Sequence, residues 1–219
     1  MTPLRRFDDR HIALLPPQYM AATGYYAVMA AYGHAVIDTA MTANKRFKSA
    51  HRCDIIDTQG PLSLTVPVDH QPGRRSWNET AVSAHGRWWH VHRVSLESAY
   101  GRTPFFEFYY DRFKPLLSEP GTVFRTIAEL DMAADSVIRQ ILGIYTLIAS
   151  ETPQNASDII IKDYRSCDFK SAAPVEYYQV RSSKFGFVAG LSVLDLIFNV
   201  GPESPLVLNE IIDRMFPSE

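Results

Sequence analysis

The sequence predicts a single α/β domain over residues 1–219, a mixed sheet with flanking helices, with an α+β arrangement as the near alternative. Three observations lead there. Short apolar runs early in the chain alternate with longer stretches of helical composition, the order expected of a layered fold. At 219 residues the chain can bury one full hydrophobic core without staples. Its 46% apolar and 21% charged residues are ordinary globular usage, which argues against a disordered or fibrous chain.

Residues 11–15 read as a short buried strand stopped by Pro16 and Pro17, and residues 19–32 as a helix closing before Gly33. A second strand follows at 35–37. Residues 46–56 and 62–68 read as two strands of a hairpin, joined by the turn-rich Asp57-Thr58-Gln59-Gly60-Pro61. Residues 70–78, with Pro72, Gly73 and two arginines, form a polar loop. The segment 88–100 is helical, and a second helix follows at once, with Thr103 placed as its N-cap and Pro104 at its first position. Residues 122–142 carry apolar positions at helical spacing and close at Gly143. A loop at 151–157, a short strand at 159–161, and helices at 191–199 and 202–215 complete the chain. No internal repeat or low-complexity tract interrupts it.

A formal net charge of −2 excludes a general nucleic-acid or membrane-surface binder, which needs a large basic excess, but leaves room for a small anionic ligand on a local basic cluster. Cys53 and Cys167 are too few for a disulfide framework. The apolar run at 12–15 is shorter than a secretory signal needs, and the apolar window at 19–37 is broken by Thr23, Gly24, Gly33 and His34. A cytoplasmic protein is expected.

Lys45, Arg46, Lys48, His51 and Arg52 are the strongest anion-binding candidates. On a strand, Arg46, Lys48 and Arg52 alternate to one face, where three cations can hold a phosphate or diphosphate; a charged, solvated edge strand is the alternative. No glycine-rich phosphate loop of the Walker or dinucleotide type is present. Cys53, beside His51 and Arg52, is a possible nucleophile if those neighbours depress its pKa, and a small core hydrophobe otherwise. The histidines and cysteines lack a zinc-type spacing, so neither a metal nor a cofactor is expected.

Stepping about 100° per residue from Trp88, His92 falls at about 40°, inside the apolar arc of its helix. It is either a core histidine or a general base. Glu97 lies four residues after Arg93, and an ion pair along the helix surface accounts for it. In the segment 191–199, Ser192 and Asp195 have capping-box spacing, while Asp195, Asn199 and Ser192 also make a narrow polar stripe on an apolar helix. Such a stripe faces solvent or lines a cleft. Asp195 and His92 are expected to line one cleft as catalytic groups, with Tyr100 and Asn199 contacting substrate.

Several of these segments resemble the WbqC-like family of bacterial proteins. The resemblance is carried by Leu15-Pro16-Pro17, by the run from Lys45 to Cys53 with Gly60-Pro61-Leu62 and Val66-Pro67-Val68, and by His92 with Leu96 to Gly101 and Pro104 to Glu107. It continues in Tyr177-Tyr178-Gln179-Val180 and in the run from Leu191 through Asp195 and Asn199 to Gly201-Pro202-Glu203-Ser204. It departs at Arg93, where the family carries an aromatic. The family is associated with gene clusters for O-antigen and other surface polysaccharides. The resemblance therefore implies a protein that modifies a phosphorylated or nucleotide-activated sugar, by acyl or aminoacyl transfer to an amino sugar, with His92 as the matching histidine. A non-catalytic ligand-binding or assembly protein of the same pathway is the alternative. No nucleic-acid or membrane partner is expected.

Overall fold

The computed structural model describes residues 4–44, 47–69, 73–149 and 158–217. The expected loop at 151–157, Lys45 and Arg46 of the basic run, and residues 70–72 of the polar loop lie outside the described residues.

The α/β expectation holds. Strands β1 (His11–Leu15) and β2 (His34–Ile37) flank helix α1 (Thr23–Ala31). Then come the hairpin β3 (Arg52–Ile56) and β4 (Pro61–Thr65), helices α2 (Trp88–Tyr100), α3 (Phe106–Phe113) and α4 (Ile127–Leu142), and strands β5 (Leu147–Ala149) and β6 (Ile160–Asp163). Helices α5 (Ser182–Phe185), α6 (Val193–Val200) and α7 (Ser204–Met215) follow. Four strands pair in parallel in the order β5-β2-β1-β6, with Ile12 opposite His34 and Leu14 opposite Asp163. The hairpin stands apart as a two-stranded antiparallel sheet. Near-continuous apolar runs such as Ile12-Ala13-Leu14-Leu15 are what a parallel sheet selects, because both its faces are covered.

All nine residues of α1 are buried, which explains a helix with no polar side. It packs on α7, and the Arg5 guanidinium lies over Gly33, where a Cβ would only displace that flexible arm. The fourth helix begins at Ile127, later than its apolar spacing suggests. Thr126 Oγ1 accepts from the Glu129 amide, and Glu129 reaches back to the amide of Thr126, so a capping box fixes that start. Gly143 ends it in the left-handed region at φ 65°. Thr103 does not cap α3; its hydroxyl donates to the Tyr100 carbonyl at 2.7 Å and closes α2. Phe106, Phe113 and Tyr100 meet Phe198 of α6 at ring distances of 5.0 to 5.8 Å, and this aromatic cluster joins the helices. Among the described residues no helix is long and apolar enough to cross a membrane.

Ligands of open α/β sheets bind beyond the carboxyl ends of the strands. There the chain leaves β2 into residues 38–44 and 47–51, tied to the end of β1 through the Tyr19 amide and the Ser49 carbonyl at 2.9 Å. Residues 66–69 and 73–80 run alongside, held by amide–carbonyl bonds from Ala43 to Arg75, Trp77 to Met41, Asn78 to Thr39 and Val66 to His51.

Candidate functional site

Between these two laced segments lies a groove of about 450 Å³, lined by Lys48, His51, Arg52, Asp69, Arg75, Trp77 and Thr80 among others. Lys48 sits in a single 3-10 turn and Arg52 opens β3, so the basic run is not one continuous strand. The turn nevertheless brings Lys48 and Arg52 to one cavity, where Arg75 joins them from the opposite wall. Arg52 is held through Nε, which donates to Thr65 Oγ1 at 2.9 Å. The rest of its guanidinium fork has no such bond among the described residues. Three cations from three places in the fold suit an oxyanion with several acceptor atoms.

His51 stands among them. Its Nδ1 lies 3.1 Å from the carbonyl of Val66, which can only accept, so Nδ1 carries the proton and Nε2 is the acceptor. Nothing among the described residues bonds to Nε2. Burial, followed by the charges of Arg52 and Lys48, holds the imidazole below the usual 6.5, so it stays neutral near pH 7. The Trp77 ring lies 6.1 Å away by centroid. Trp77 is 3% exposed, and its indole N–H is buried without an acceptor among the described residues. Such a donor costs on the order of 1–3 kcal/mol, a cost that a bound acceptor would offset.

The histidine that the helical wheel singles out is placed differently. His92 is 2% exposed; Nε2 donates to the Thr65 carbonyl at 3.2 Å, and Nδ1 accepts from the Tyr19 hydroxyl at 3.1 Å. Burial lowers its pKa to about 4. Both nitrogens are thus occupied by core partners, which removes the free lone pair that a general base needs. Glu97 accepts from the Tyr110 hydroxyl at 2.9 Å, a partner its spacing from Arg93 did not suggest.

The polar stripe of α6 faces neither solvent nor a cleft. Asp195 is fully buried and accepts from Tyr177 Oη and Gln179 Nε2, both at 2.9 Å, and from Asn199 Nδ2 at 3.2 Å. The Tyr100 hydroxyl also reaches it, and burial raises its pKa despite these donors. Asn199 Oδ1 accepts the Val180 amide, and Gln179 makes a two-way bond with the backbone of Val188. The stripe therefore pins residues 177–188 to α6. Asp195 makes no capping box with Ser192, whose hydroxyl donates to the Met20 carbonyl. His92 and Asp195 share no hydrogen-bond partner. Tyr100, fully buried against Asp195, stands two turns along α2 from His92, about 12 Å at 1.5 Å per residue.

Cys53 is buried in the core, and burial together with Asp54 pushes its thiol up, opposite to the shift a nucleophilic thiolate needs. Among the described residues no group of three or more histidine, cysteine or acidic side chains could hold a metal ion. Sequence reasoning placed His51 in the basic run but not as a base, and it missed Arg75, Trp77 and Asp69. Their signal lay in the polar residues 69 and 73–80, whose return to the residues after β2 is a tertiary fact.

Among known proteins, the model of the WbqC-like protein family matches residues 16–164, about two thirds of the chain. That span contains the groove, and the Asp195 clamp lies outside it. No curated protein and no solved structure matches.

Proposed function

The chain belongs to the WbqC-like protein family, and from this premise we propose that it binds a phosphorylated or nucleotide-activated sugar in the basic groove and acylates it. The reaction is acyl or aminoacyl transfer to a sugar amine, a cytoplasmic step of surface-polysaccharide (O-antigen) assembly. The observation that carries this reading is a neutral His51 with an unengaged Nε2, set among Lys48, Arg52 and Arg75 in one cavity. The cations hold the phosphate; the histidine serves the nucleophile.

With an acyl thioester as donor, the amine nitrogen attacks the carbonyl carbon. The C–N bond forms, and the C–S bond breaks with its electron pair on sulfur. The proton leaving nitrogen passes to His51 Nε2 and from there to the thiolate. Nδ1, bonded to Val66, steadies the ring and supports the imidazolium that forms in between.

The test is titration with sugar phosphates, followed by thermal shift, and mass analysis of the sugar after incubation with acyl thioesters. At a ligand concentration of about 100 Kd, binding raises stability by roughly 2.7 kcal/mol. The expected result is that Arg52→Ala and Arg75→Ala lose the shift, while His51→Gln keeps the shift and loses the amide product. Full product formation by His51→Gln, or unchanged binding in both arginine variants, would overturn the proposal. Phosphate-dependent binding with no product from any thioester would favour the non-catalytic assembly role.

A further inference from the structure

The groove carries charges of both signs, and they are not spent on each other. Asp69 lines it together with Lys48, Arg52 and Arg75. Among the described residues the Asp69 carboxylate has no side-chain partner, and no ion pair joins it to any of the three cations.

Both residues are anchored through the backbone. The Asp69 amide donates to the Ala81 carbonyl at 3.0 Å, next to the antiparallel bridge between Val68 and Val82, and the Arg75 carbonyl accepts the amide of Ala43 at 2.8 Å. An exposed ion pair gains little, so charges that line one groove need not close on each other. Unpaired, they remain available to a molecule that carries both signs itself.

We infer that the groove selects a sugar bearing both a phosphate and a primary amine, with Asp69 as the residue that recognises the ammonium. This rests on the acyl-transfer reading and sharpens it. The carboxylate holds the ammonium while Lys48, Arg52 and Arg75 hold the phosphate, so the spacing between them selects which amine is presented. An ammonium has no lone pair; it gives one proton to solvent before its nitrogen attacks. Asp69 is thus a specificity-determining residue, and the base remains His51.

The experiment is calorimetric titration of the full chain with glucosamine 1-phosphate, glucose 1-phosphate and inorganic phosphate. Glucosamine 1-phosphate is expected to bind about tenfold or more tightly than glucose 1-phosphate. Asp69→Asn is expected to bring the ratio of the two to about one, because glucosamine 1-phosphate loses its ammonium contact. Arg52→Ala is expected to weaken both sugars. Equal affinity for the two sugars in the unaltered protein, or a preference that survives Asp69→Asn, overturns the inference and leaves the phosphate site standing. Failure of both sugar phosphates to bind, or indifference of both to Arg52→Ala, overturns the underlying reading as well.

Discussion

His51 and Val66 are joined by a 3.1 Å bond from Nδ1 to the backbone carbonyl, and that bond decides the chemistry of the other ring nitrogen. A carbonyl cannot donate, so the proton sits on Nδ1 and the lone pair on Nε2. The same pair of residues is joined again through the Val66 amide and the His51 carbonyl at 2.8 Å. With backbone and ring both fixed, the imidazole has little freedom to turn away from the groove.

His51→Asn keeps a side-chain N–H near the Val66 carbonyl and removes the base. Transfer to the sugar amine should fall by about 10²–10⁴-fold, with sugar-phosphate affinity within about threefold of the original. The folded pKa of His51 lies below 6.5, so Nε2 should stay mostly unprotonated between pH 8 and 6.5, and a rise of rate with pH in that range belongs to the sugar ammonium as it loses its proton. The contribution of His51 should fall away only as pH drops below 6.5 and Nε2 becomes protonated. A His51 imidazole that titrates above 6.5 by NMR in the free protein would contradict the assignment.

Asp195 should prove a stability residue. Replacing it with alanine strands the buried Tyr177 hydroxyl, the Gln179 amide and Asn199 at once. Each buried donor left without its acceptor costs roughly 1–3 kcal/mol. Urea denaturation of Asp195→Ala should show that loss, and proteolysis should reach residues 177–188 sooner. A midpoint unchanged from that of the parent protein would refute the clamp.

Much of the fold was legible because its signals are local. The residues of β1 sit where the apolar run ending at Pro16 puts them, and α2 spans 88–100 as its composition implies. Gly143 marks the end of α4 because only a left-handed residue fits there cheaply. What misled was polarity on buried faces. His92 and Asp195 are both polar groups in apolar helix arcs, and each must find a partner. Sequence spacing cannot tell a ligand from the Thr65 carbonyl or the Tyr177 hydroxyl. The three-residue strand β5 is likewise invisible, since Leu147 is 64% exposed and its neighbours carry no alternation. The groove is half legible: Lys48, His51 and Arg52 announce themselves as a basic run, whereas Arg75 and Asp69 arrive through backbone bonds between distant segments.

His92 should make the fold acid-sensitive. Its pKa is about 4 in the folded chain against 6.5 when unperturbed. Between those values the unfolded chain binds the extra proton, so stability drops as pH falls from about 6.5 to about 4. At about 1.36 kcal/mol per pKa unit the full loss is roughly 3 kcal/mol. His92→Gln can keep the donor to Thr65 without titrating. The difference in unfolding free energy between the two proteins, followed by urea denaturation, should therefore shift in favour of the variant across that window. A difference independent of pH would show that His92 does not titrate on unfolding.

Asp131 should behave with the opposite sign. It lies on the buried face of α4, 2% exposed, and neither carboxylate oxygen has a hydrogen-bond partner among the described residues. Burial, reinforced by Asp135 one turn on, raises its pKa well above the ordinary 3.8. Asp135 is better placed, since one of its oxygens accepts from Arg139 Nε at 2.7 Å. A carboxyl whose folded pKa is raised contributes stability that is present below about 3.8 and is lost as pH rises through the folded value. At neutral pH the folded state must either retain that proton or bury an unpaired charge, and both disfavour folding. Asp131→Asn has nearly the same shape and no charge. It should gain on the original protein as pH climbs, by on the order of 1–3 kcal/mol between pH 4 and pH 8. In a chain of this size that corresponds to about 2–4 °C in melting temperature per kcal/mol. Thermal melts of both proteins at the two pH values measure the gap directly, and a gap that fails to widen toward pH 8 would mean that the Asp131 carboxylate is stabilised where it lies.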